Sequence, residues 1–72
     1  MARQRISNHI RRLRFDANEM TQQELADAVG VTRQTIIAIE ADKHSPLLDL
    51  AFRIAAVFAQ PLEEVFRYEK KS

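Results

Sequence analysis

The sequence predicts an all-α fold of five short helices, and three observations carry that prediction. Apolar residues recur at helical spacing in five separate stretches. Residues 21–40 contain two successive helix starts, each a threonine flanked by apolar residues at staple spacing. Gly30, the only glycine in the chain, falls between them. No segment reads as a convincing strand.

The first helix is expected over residues 6–15, with Ile6, Ile10 and Leu13 at helical spacing. The second is expected over 22–29. Thr21 and Glu24 form a capping box in which hydroxyl and carboxylate each satisfy a free N–H, and Met20 can staple onto Leu25. Gly30 is placed to end this helix in the left-handed region, where a β-carbon would cost about 1 kcal/mol or more. The third helix, over 33–41, has Thr32 as its cap, with Val31 and Ile36 as its staple. Ala26 is small enough for a second helix to cross closely. Leu25, Val29, Val31, Ile36 and Ile39 supply the buried faces, leaving Arg33, Gln34, Ile37 and Ala38 outward. After the turn ADKHSP comes a fourth helix over 48–58, with Leu48, Ala51, Ile54, Ala55 and Phe58 on one face. Pro61, tolerated in a first helical turn, opens a fifth over 62–66. Residues 68–72 read as a frayed tail, or as an arm ordered by a partner.

Composition bounds the answer further. The 72 residues allow one small domain, expected over 1–72 with its core in about 6–67. A chain this short buries a limited fraction of its surface, so marginal stability or a partner subunit is expected. With no cysteine, disulfides and thiolate zinc sites are excluded. No apolar run approaches the roughly 20 residues that cross a membrane, and MARQRIS is not followed by a signal-type apolar core. Net charge is only +1, but it is unevenly spread. Arg3, Arg5, Arg11, Arg12 and Arg14 precede every acidic residue. Arg11 and Arg12 are either a solvated face or phosphate contacts.

A helix pair joined by a tight glycine turn presents its second member as a rod for the major groove of DNA. The pattern QxxLAxxVGVxxxxIxxIE, carried by Gln22, Leu25, Ala26, Val29, Gly30, Val31, Ile36, Ile39 and Glu40, resembles the helix-turn-helix of the lambda-repressor-like family, also called Cro/repressor or XRE. HIRRLR, SPLLDLAFRIAAVF and PLEEVF resemble its first, fourth and fifth helices, so the likeness covers roughly residues 6–67. Two features depart from the family. Asn18, Asp42 and Ala59 stand where it usually has glycine, which leaves Ala59 uncomfortable if its φ is positive. Leu47 stands where it usually has a serine cap, and Ser45 before Pro46 offers an alternative.

The resemblance implies a set of functional residues. Arg33, Gln34 and Ala38 are the base-facing positions, and Thr35, next to the cap Thr32, reaches a phosphate or a base. Arginine suits guanine O6 and N7, and glutamine suits adenine N6 and N7. Gln22 holds a phosphate at a helix N-terminus rich in free N–H groups. Lys43 and His44 contact phosphate in the following turn. On bland readings, Arg33 and Gln34 begin a solvated helix, Gln22 is a good helix former, and Lys43 and His44 are solvated. His9 and His44 lack metal-ligand spacing. Ile37 touches thymine methyls or, the favoured reading, tucks against a neighbouring helix. Arg14 and Glu40 are expected to pair between the first and third helices.

The leading function is a sequence-specific regulator binding double-stranded DNA as a homodimer on a palindromic operator. Family resemblance places it in a prokaryotic cytoplasm. Phe52, Phe66 and Tyr68 are the interface candidates, with Leu62 and Val65 equally explained by packing. No effector domain is visible, which implies a constitutive binder or one answering to a partner protein. The alternative is an antitoxin or interaction module that binds DNA secondarily, although few residues follow Phe66 to wrap a toxin. No catalytic constellation, cofactor motif or metal-ligand cluster is evident, so neither an enzyme nor a cofactor is expected.

Overall fold

The computed structural model describes residues 5–69. Five helices and a two-stranded sheet follow in the order β1 (Arg5–Asn8), α1 (Ile10–Asp16), α2 (Gln22–Val29), α3 (Arg33–Glu40), α4 (Leu48–Val57), α5 (Leu62–Val65) and β2 (Phe66–Glu69). The protein is therefore mostly helical, and the sheet corrects the expectation of no strand. β1 and β2 pair antiparallel, with Ile6 opposite Tyr68 and Asn8 opposite Phe66. The His9 N–H continues the pairing to the Val65 carbonyl at 2.9 Å.

This pairing moves the start of the first helix from 6 to 10. Asn8 Oδ1 accepts the Ile10 N–H at 3.1 Å, a local turn that holds the chain out of helix until Ile10. Phe66 and Tyr68 likewise belong to β2 rather than to a fifth helix or a frayed tail. Residues 70–72 of that tail, and Arg3, lie outside the described residues.

The core lies where the five helices meet. It is built from Ile10 of α1, Leu25, Ala26 and Val29 of α2, Ile36 and Ile39 of α3, Leu50, Ile54 and Ala55 of α4, and Val65 of α5. Each fully buried isoleucine or leucine contributes about 1.5–3 kcal/mol relative to exposure. Val31, Leu13, Leu62 and Phe66 pack half-buried around it. Leu48 does not join the core. It lies on the first turn of α4, 66% exposed, and lines a shallow apolar groove with Ile6, Pro46, Ala51, Leu62 and Phe66.

Caps fix the helix boundaries. The Thr21 capping box is complete, with Glu24 N–H to Thr21 Oγ1 at 3.0 Å and Thr21 N–H to Glu24 Oε1 at 2.8 Å. Gly30 ends α2 at φ 78°. A β-carbon there would lie 3.6 Å from Arg53 Nη1, an ordinary contact, so conformation rather than space requires the glycine. Arg53 Nη1 donates to the Val29 carbonyl at 2.6 Å, so α4 caps the end of α2. Asn18, Asp42 and Ala59 take φ values of 64°, 61° and 53°, and Glu19 joins them at 58°. α3 and α4 both end in Schellman turns, with Lys43 N–H to Ala38 O at 2.9 Å and Gln60 N–H to Ala55 O at 3.1 Å. The Ser45 cap does not form. Leu47 occupies the cap position without a side-chain bond, and Ser45 is two residues too early to reach the first free amides.

Candidate nucleic-acid interface

α3 is oriented from behind. Arg14 of α1 meets Glu40, the last residue of α3, with Nε–Oε2 at 2.7 Å and Nη2–Oε1 at 3.1 Å. Arg14 Nη1 also donates to the Met20 carbonyl at 2.8 Å, and Gln22 Nε2 donates to Glu40 Oε1 at 3.2 Å. Three helices are thereby tied at one carboxylate. Arg14 and Glu40 side chains are only 14% and 10% exposed, so water screens the pair poorly. Below the network, Ile36 and Ile39 anchor α3 in the core.

The side of α3 away from Ile36 and Ile39 is open. Arg33 and Gln34, in its first turn, are exposed, and among the described residues neither side chain has a hydrogen bond or ion pair. Ala38 lies half-buried one turn beyond Gln34. Ile37, one turn beyond Arg33, is 41% exposed and so is not tucked away against a neighbouring helix. Thr32 Oγ1 accepts the Thr35 N–H at 3.2 Å, and the two hydroxyls meet at 3.1 Å. Lys43 and His44 are exposed in the turn leaving α3.

A cleft beside this face is lined by Arg11, Gln22, Gln23 and Arg33, with Arg14 and Glu40 at its base. The structure thus groups Gln22 with Arg33 and Arg11, and leaves Lys43 and His44 at the other end of α3. Arg12 turns aside, 4.0 Å from Asp16 in an exposed pair worth little. Sequence reasoning missed the bond from Gln22 to Glu40, which joins residues 18 apart with no local signal. It also missed Asn8, whose Nδ2 donates to the Ile39 carbonyl at 2.9 Å and to Asp42 Oδ1 at 3.0 Å.

Two short helices joined through the left-handed Gly30, the second exposing Arg33 and Gln34, have the form of a helix-turn-helix. The chain belongs to that family, in its lambda-repressor-like (XRE) form: the family profile, described as helix-turn-helix, matches residues 10–65. An uncharacterized HTH-type transcriptional regulator of Methanocaldococcus jannaschii is 52% identical over 52 residues, 72% of this chain and 79% of the relative. The cryptic phage CTXphi transcriptional repressor RstR of Vibrio cholerae is 32% identical over 60 residues, 83% of this chain and 53% of that protein. A crystal structure of a candidate DNA-binding protein from Bacteroides fragilis superposes with a TM-score of 0.76 at 21% identity, over 86% of this chain and 98% of that one. That last likeness establishes the fold.

Proposed function

We propose that this protein is a transcriptional regulator that binds double-stranded DNA sequence-specifically as a homodimer, reading the major groove with the first turn of α3. The observation that carries this reading is the pair Arg33 and Gln34, exposed and without partners among the described residues, on a helix whose core side is fixed by Ile36 and Ile39. Unpartnered donors and acceptors on a helix whose backbone is held are free to meet base edges without breaking an existing bond. Arg33 and Gln34 take the base-reading roles, with Ala38 and Ile37 able to meet a thymine methyl. Thr35 and Thr32 lie at the backbone edge of the groove. Gln22 gives one Nε2 N–H to Glu40 and offers the other to a phosphate, alongside the α2 N-terminal amides, whose partial positive charge favours an anion. Lys43 and His44 supply phosphate contacts at the far end of α3. Among the described residues no helix is long and apolar enough to cross a membrane, which accords with action on DNA in the cytoplasm.

Dimerisation rests on a separate observation. Ile6, Asn8, Phe66 and Tyr68 share one face of the sheet, as their pairing requires. Phe66 packs against the core, but Tyr68 reaches past it at 57% exposed. Beside this overhang, α4 exposes Leu48 and, one turn on, Phe52 at 54%. A second copy covering these groups would double the base contacts and set two reading helices about 34 Å apart, one turn of DNA.

Selection of bound sites from random duplex DNA tests the reading. A palindromic consensus with half-sites one helical turn apart is expected. Enrichment of no sequence, together with capture of a partner protein, would favour an interaction module instead.

A further inference from the structure

We infer that Asn8 is a positioning residue for the turn that leaves α3, and that through this turn it governs how Lys43 is presented to DNA. The second part rests on the DNA-reading function proposed above. Asn8 is half-buried at the end of β1, 31 residues from Ile39 in sequence and in direct contact with it. Its side-chain amide is engaged at both ends. Nδ2 donates to the Ile39 carbonyl at 2.9 Å and to Asp42 Oδ1 at 3.0 Å, while Oδ1 accepts the Ile10 N–H at 3.1 Å. One side chain therefore joins the sheet, the start of α1 and the exit of α3.

The exit turn needs such a hold. Asp42 sits at φ 61°, a conformation that an L-residue adopts at a penalty. Its N–H bonds the same Ile39 carbonyl at 3.0 Å, and the next N–H, that of Lys43, bonds Ala38 O at 2.9 Å. Asn8 pins both the carbonyl that this turn closes on and the side chain of the residue at its strained apex. Lys43 follows that apex directly, and its own side chain is exposed. The direction of the Lys43 side chain is thus set by the backbone that Asn8 anchors.

Chemistry separates this role from the local turn that Asn8 makes into α1. Asn8→Asp keeps the acceptor for the Ile10 N–H, since aspartate serves as well there. It removes both donors and sets a carboxylate against Asp42. Adding Asp42→Asn reverses the donor and acceptor of that contact, and asparagine tolerates the left-handed region.

The test uses amide hydrogen exchange in the free protein and salt-dependent binding to the selected duplex. In Asn8→Ala and Asn8→Asp, exchange at the Asp42 and Lys43 amides should rise about tenfold, with the Leu25 and Ile54 amides unchanged. Affinity for DNA should fall about three- to tenfold, and the salt slope should become shallower by about one unit, as in Lys43→Ala. The Asn8→Asp/Asp42→Asn pair restores the contact with residue 42 but not the donor to the Ile39 carbonyl, so it should recover part of both readouts. Asn8→Asp indistinguishable from wild type, or a pair that recovers nothing, overturns the inference and leaves Asn8 only the local turn before α1. Altered exchange with unaltered DNA binding overturns the link to Lys43. A wild type that binds no duplex defeats the DNA reading itself, while the exchange readout still decides whether Asn8 holds the turn.

Discussion

Arg14 grips Glu40 through two guanidinium nitrogens, at 2.7 and 3.1 Å, and so fastens the end of α3 to α1. Both groups are largely shielded, so removing one leaves an uncompensated charge. Arg14→Met and Glu40→Gln should each destabilise the fold, and the double variant should lose less than their sum. A coupling energy of about 1–3 kcal/mol is expected from a double-mutant cycle read by denaturant melts. Additive losses would mean that the contact contributes nothing in solution.

Gly30 and Arg53 act together at the junction of α2 and α3. Because φ is 78° while a β-carbon would make only an ordinary contact with Arg53, the strain at position 30 is conformational. Gly30→Ala should lower stability by about 1–2 kcal/mol, and Gly30→Val by more, since β-branching worsens the left-handed region. Thermal melts would show it, each kcal/mol shifting the Tm of a domain this size by about 4–8 °C.

Ala59 presents the reverse case. It holds φ 53° in the turn after α4 without glycine's freedom. Ala59→Gly should relieve about 1 kcal/mol of strain, partly offset by greater freedom in the unfolded chain. A Tm raised by a few degrees is the expected outcome, and a lowered one would show that the unfolded-state term dominates.

The helix pair was legible in the sequence because its determinants are local. Thr21 with Glu24, Gly30, and Thr32 with Thr35 act within a few residues of one another, and apolar spacing does the rest. The sheet was hidden because β1 and β2 are four residues each and pair across nearly the whole described chain. Ile6 also sits four residues before Ile10, so a strand residue imitates helical spacing. Only the turn made by Asn8 separates the two, and asparagine is common enough to pass unremarked. The same limit applies around the exposed face of α3. The exposure of Arg33 and Gln34 was legible from their place after the Thr32 cap. The ties from Gln22 to Glu40, from Asn8 to Asp42 and from Arg53 to Val29 depend on helix crossings that no single stretch encodes.

The apolar overhang gives a test of assembly. Phe66 packs against the core, so its substitution would confound folding with association. Phe52→Glu and Tyr68→Glu alter exposed positions and should leave helical content intact. Sedimentation at micromolar concentration should show a dimer for wild type and a monomer for the variants, with operator affinity much reduced. A wild type that stays monomeric both free and on DNA would rule out the second copy.

The most direct test of base reading compares the sites selected by wild type with those selected by Gln34→Ala and Arg33→Ala. Each variant should lose about 1–3 kcal/mol of specific binding and relax its preference at one base pair per half-site, leaving the rest of the consensus in place. Lys43→Ala, by contrast, should weaken every duplex alike. An unchanged consensus and affinity in both variants would contradict the reading of DNA by the first turn of α3.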